Sequence, residues 1–106
     1  MENSIDNAIE TIDNYIDLIY RDYFTAIDKV RDIVEVVQNS VMPFIDQIDF
    51  YNKKGEEIQE EFILKQLENL LEGIKFNDPI AIADALRYGI EEILMTYKEL
   101  VIIYGK

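Results

Sequence analysis

The chain has no cysteine and no histidine. Disulfides, thiolate chemistry, zinc sites of the usual kind and histidine acid–base catalysis are therefore excluded. Basic residues are scarce, 10 lysines and arginines against 22 acidic residues, for a net charge of −12. Such a surface repels phosphate backbones and anionic headgroups, which argues against nucleic-acid and membrane partners. Long apolar runs are missing too. The run Leu100–Tyr104 falls far short of the ~18 residues a membrane span needs. Met1-Glu2-Asn3 opens neither a basic n-region nor an apolar h-region. The expectation is a soluble, cytoplasmic protein.

What is present suits one folded domain over residues 1–106, with 49% hydrophobic and 30% charged residues. The most informative stretch is Asn77 to Tyr104. Asp78 stands where an N-cap belongs and Pro79 at the first helical position. Ala83, Leu86, Ile90, Ile93, Tyr97, Leu100 and Tyr104 follow with gaps of three and four, one face of a helix. A second line, Ile82, Gly89, Leu94 and Val101, widens that face toward more than one neighbour. This helix is expected to be the core element.

Upstream, the spacing predicts a first helix opening at Asn3 or Ser4, with a seam of Ile5, Ile9, Ile12, Ile16 and Ile19. Beside the seam, in the same rhythm, run Asp6, Glu10, Asp13 and Asp17, and no base precedes Arg21. Like charges four apart on a helix repel by about 0.2–0.5 kcal/mol per pair. The row is thus either a solvated face or a docking face for a basic partner. A break is expected at residues 21–25, where Thr25-Ala26-Ile27-Asp28 fits a capping box. A second helix should run to about Asp49 with a kink near Asn39-Ser40 caused by Pro43. Asn52-Lys53-Lys54-Gly55 reads as a loop. A third helix should cover about Glu56 to Ile74, its stripe Ile63, Leu67, Leu70, Leu71 and Ile74. No segment alternates at period two. The expected fold is all-α, a four-helix up-down-up-down bundle. An offset of 56 residues superimposes Asp22 on Asp78, Asp28 on Asp84, Arg31 on Arg87 and Glu35 on Glu91, which suggests two pseudo-repeated helical hairpins.

The stretch Asp78-Pro79-Ile80-Ala81-Ile82-Ala83-Asp84-Ala85-Leu86-Arg87-Tyr88, leading to Ile90-Glu91-Glu92-Ile93-Leu94, resembles a recurrent segment of small uncharacterised helical proteins of low-GC Gram-positive bacteria. In those proteins an acidic turn precedes a closing helix of the Ile-Ala-Asp-x-Leu-x-Tyr-x-Ile type. Gly89 stands where many relatives carry a larger acidic residue. The resemblance implies a helical fold and lends no activity.

Carboxylates are the only abundant reactive groups. Without histidine the mixed glutamate–histidine di-metal site of helical bundles cannot be built, and Asp46 to Glu57 lacks the ligand pattern of a calcium loop. An acid–base pair needs one carboxyl buried with a raised pKa. Asp84, between Ala83 and Ala85, is the nearest candidate, and an intrahelical pair with Arg87 is its simpler reading. No nucleophile elbow or phosphate loop occurs. The seven tyrosines are expected at the core edge, each hydroxyl seeking a partner. Met95, Ile102 and Ile103 fall outside the stripe of the last helix. No enzyme activity and no cofactor are expected. The expected function is non-catalytic: an acidic helical bundle acting in protein–protein interaction, as a chaperone or adaptor or through a homodimer. Met95, Ile102, Ile103, Asp6, Glu10, Asp13 and Asp17 form its interaction surface. The analogy with the acidic helical chaperones of secretion systems rests on fold type and charge. The alternative is a ligand- or metal-binding bundle with carboxylates between helices.

Overall fold

The computed structural model describes residues 2–105, all helix and connecting turns with no strand among them. We label the elements α1 (Glu2–Arg21), α2 (Tyr23–Asp28), α3 (Val30–Lys53), α4 (Glu60–Lys75), α5 (Pro79–Asp84) and α6 (Glu91–Tyr104). A π-helical turn, Ala85–Ile90, joins α5 to α6 without a break, so Pro79 to Tyr104 is one rod, the last helix.

The break after α1 is made by Asp22, whose backbone turns extended at φ −158°. Its carboxylate accepts the Thr25 amide hydrogen (3.2 Å) and the Thr25 hydroxyl (2.6 Å). The cap is therefore Asp22, and Thr25 is its donor rather than the opening residue of a capping box. The buried Tyr15 hydroxyl donates to the Ala26 carbonyl (2.7 Å) and pins α2 against α1. Lys29 interrupts the helix again before α3, a second break the sequence did not signal. From Val30 the helix continues through Pro43, with the Ser40 hydroxyl bonded to the Val36 and Val37 carbonyls just before it. The first helix also begins earlier than Asn3, at Glu2.

Between α3 and α4 the chain turns at Gly55, φ +108°. Asn52 then brackets Ile58, accepting its N–H (2.8 Å) and donating to its carbonyl (3.0 Å). Tied this way, Glu56–Gln59 stay outside the helix, and α4 opens at Glu60 rather than Glu56. At its other end Asn77 adopts φ +54°. The Asp78 amide bonds the Gly73 carbonyl (2.9 Å) and the Asn77 amide that of Ile74 (3.0 Å), a Schellman closure. Asp78 then caps the last helix, its Oδ1 accepting from the Ala81 amide (3.1 Å), with Pro79 at the first position.

The last helix is covered from three sides. On α4, Gly73 lies against Ile82 and Gly89 lies against Gln66, an antiparallel pairing. On α1, Asp6 meets Lys98 and Asp13 meets Glu91, again antiparallel. On α3, Phe44 stacks on Tyr97 with ring centroids 4.8 Å apart. The buried pairs Ala85–Leu86, Gly89–Ile90 and Ile93–Leu94 are spaced by four twice in succession. A helix of 3.6 residues per turn would rotate such pairs about 80° out of line. The π turn absorbs that drift. Every residue of the two apolar lines expected on this helix is buried except Tyr104, which is half-buried.

One stripe departs from expectation. On α4, Ile63 and Leu70 are buried and Leu67 and Ile74 half-buried, but Leu71 is 55% exposed. Contact through Gly73 turns α4 toward α5, which moves Leu71 outward. Gly73 is the rigid point: a Cβ there would meet the Ile82 backbone nitrogen at 3.1 Å, whereas one at Gly89 would come closer, 2.7 Å, but to the Gln66 side-chain oxygen, which can move.

Two expectations follow for stability in urea. Gly73→Ala should cost about 1–3 kcal/mol, because backbone cannot give way, while Gly89→Ala should stay near neutral. Asp78→Ala should cost about 0.5–2 kcal/mol, with Asp78→Asn and Asp78→Ser costing much less.

Candidate protein interaction face

The register of α1 against the last helix assembles most of the expected surface. Asp6 Oδ1 meets Lys98 Nζ at 2.7 Å, and seven residues on Asp13 meets Glu91, seven residues back from Lys98. Lys98 and Glu91 thus mark the edge of the last helix that faces α1. Met95 lies four after Glu91, and Ile102 four after Lys98, so both are surface neighbours of that edge. They are 52% and 59% exposed. On α1, Glu10 follows Asp6 by four, and Asp17 follows Asp13 by four; Asp6, Glu10, Asp13 and Asp17 are all exposed. An acidic strip and a short apolar strip run side by side along the seam.

Ile103 does not join them. It is 66% exposed but lies about 100° further round the helix, in line with Thr96. Thr96 borders a groove of about 340 Å³ lined also by Phe44, Ile58, Phe62, Ile63 and Glu92. Ile103 is thus exposed on a separate side.

Asp84 is exposed, and the two ion pairs among the described residues, Lys65–Glu68 and Lys98–Asp6, do not include it. The carboxyl that is drawn inside is Glu91. Its Oε2 is sealed from solvent without a hydrogen-bond partner. Burial, then the nearby Asp13 carboxyl and its charge, push its pKa up to about 8, against the opposing pull of Arg87. Sequence reasoning missed it because Glu91 becomes paired only when α1 is laid beside it.

Of the tyrosines, Tyr15, Tyr51 and Tyr97 are buried, and Tyr20 and Tyr88 are exposed. Tyr23 and Tyr104 sit at the core edge, donating to Asn77 Oδ1 (2.6 Å) and Glu56 Oε2 (2.7 Å). Exposed Phe24, Phe62 and Phe76 were not singled out by the sequence, because each falls in or beside a helical apolar stripe. No group of three or more acidic side chains among the described residues is placed to hold a metal ion. No helix described is long and apolar enough to cross a membrane. No protein-family model, curated protein or solved structure matches this chain.

Met95→Glu and Ile102→Glu should each change unfolding free energy by no more than about 0.5 kcal/mol, since both side chains are largely in solvent. Urea denaturation checks this and separates the face from the core.

Proposed function

We infer that the protein is a non-catalytic four-helix bundle of up-down-up-down order that binds a basic amphipathic segment of another protein along the α1–last helix seam. The observation that carries this reading is the adjacency of Met95 and Ile102 to the acidic strip Asp6, Glu10, Asp13 and Asp17. An apolar stripe on an incoming helix would cover Met95 and Ile102, and its flanking lysines or arginines would lie over Glu10 and Asp17. Acids that share a single base within α1, Arg21 at its end, gain most from a partner that supplies more. The bundle topology is supported by the antiparallel pairings of α4 and α1 with the last helix, and by a cross-section of 26 × 18 Å that fits two helices by two. Duplication of a hairpin is supported by the offset of 56 residues, which maps cap Asp22 onto cap Asp78 and α2 onto α5.

A second copy of this chain fits the seam less well than a basic partner does. A two-fold contact puts the same patch on both sides, so the acids Asp6, Glu10, Asp13 and Asp17 would recur on both copies and repel. The reading with a small ligand or metal held by carboxylates has one interhelical acid pair in its favour, Asp13 with Glu91. Against it, Asp13 is exposed and no third acid among the described residues joins the pair.

The test uses a synthetic amphipathic peptide with leucines on one face and lysines on the other. Backbone resonance shifts on its addition should concentrate in residues 5–17 and 91–102, and added salt should weaken binding. The double variant of Met95→Glu and Ile102→Glu should bind at least about tenfold more weakly. Equal binding by wild type and variant, or shifts centred elsewhere, overturns the reading; sedimentation showing a dimer through this face would replace the basic partner with a second copy.

A further inference from the structure

We propose that Asp13 and Glu91 form a proton-linked latch that holds α1 against the last helix at neutral pH and releases in mild alkali. The geometry carries it: a carboxyl of the last helix is turned into the seam with Oε2 cut off from water and unpartnered, facing a second carboxyl on α1. Two ionised carboxyls cannot share that space cheaply, because a sealed, unpaired anionic oxygen loses its hydration and like charges in contact repel. One proton removes both costs, and the Glu91 O–H then donates to the Asp13 carboxylate. The groups acting on Glu91 are Asp13 from α1, and Arg87 and Glu92 from the last helix itself; α3 and α4 lie on its other sides, at Tyr97 and at Ile82. Arg87 favours the anion and Glu92 opposes it, so Arg87 does not stand alone to neutralise the pair.

The composition offers no ordinary neutral-range side chain in place of this latch. Histidine and cysteine, whose ordinary pKa values lie near that range, are absent. The sign follows from a folded pKa raised above the unfolded value near 4.3. The stabilising contribution is complete below the unfolded pKa and is lost as pH rises through about 8. The Asp6–Lys98 pair lies two turns away, and Met95 one turn beyond Glu91.

Carbon-13 titration of the glutamate side-chain carboxyls, with thermal unfolding followed between about pH 6 and pH 9, tests it on the full chain. One glutamate resonance should titrate near 8, vanish in Glu91→Gln and move toward the ordinary range in Asp13→Asn. The thermal midpoint of the wild type should fall across that interval and stay level in Glu91→Gln. The amino terminus is common to every variant, so its titration cancels. A Glu91 midpoint near 4.3 in the wild type, an unmoved midpoint in Asp13→Asn, or an equal thermal loss in Glu91→Gln overturns the latch. If Glu91→Gln fails to fold, the Asp13→Asn midpoint decides alone.

Discussion

The last helix has to be covered from three sides at once, and the rest of the structure answers to that demand. Its buried positions come as adjacent pairs from Ile82–Ala83 to Leu100–Val101, with Tyr97 single between them, too wide a face for any single neighbour. Each neighbour approaches by a different means. Helix α4 comes close because Gly73 has no side chain where Ile82 backbone lies. Helix α3 brings an aromatic ring to stack on Tyr97. Helix α1 supplies its isoleucine seam and fixes its register through polar contacts at Asp6 and Asp13. The π turn keeps all three surfaces in phase along one continuous rod.

Placing three helices around a fourth requires sharp, fully hydrogen-bonded reversals, and the chain meets this with aspartate and asparagine. Asp22 and Asp78 each accept an amide hydrogen three residues on, Asp22 opening the short α2 and Asp78 the long last helix. Asn77 takes the left-handed conformation that closes α4, and Asn52 holds the α3–α4 connection by both atoms of its side-chain amide. Short polar side chains can do this because they bond locally to backbone that would otherwise be orphaned. The tyrosine hydroxyls of Tyr15, Tyr23 and Tyr104 tie those reversals to distant elements.

Charge is where stability and function meet. The acids of α1 share one base within their own helix, Arg21 in its last turn, and across the seam Asp6 meets Lys98. Asp13 is instead set against a second acid, Glu91, whose pKa burial and Asp13 together raise. The remaining acids stay exposed next to Met95 and Ile102. A face that combines unspent negative charge with uncovered apolar surface is what a basic amphipathic partner requires, and Glu91 sits within one helical turn of it.

The sequence by itself determined the all-helical class, the burial of the last helix, the Asp78–Pro79 start and the exposure of Met95, Ile102 and Ile103. These depend on periodicity and local backbone bonding, which act over a few neighbouring residues. Tertiary structure decided what lies side by side. It set the cap at Asp22 rather than Thr25, delayed α4 to Glu60 through the Asn52–Ile58 bracket, and turned Leu71 outward by the approach at Gly73. It also split Ile103 from Met95 and Ile102 and brought Glu91 against Asp13. The π turn belongs to this second group, because an extra residue in a turn is stabilised only by neighbours on three sides. Contacts between residues some eighty positions apart have no local signature. They exist only once two helices share a register.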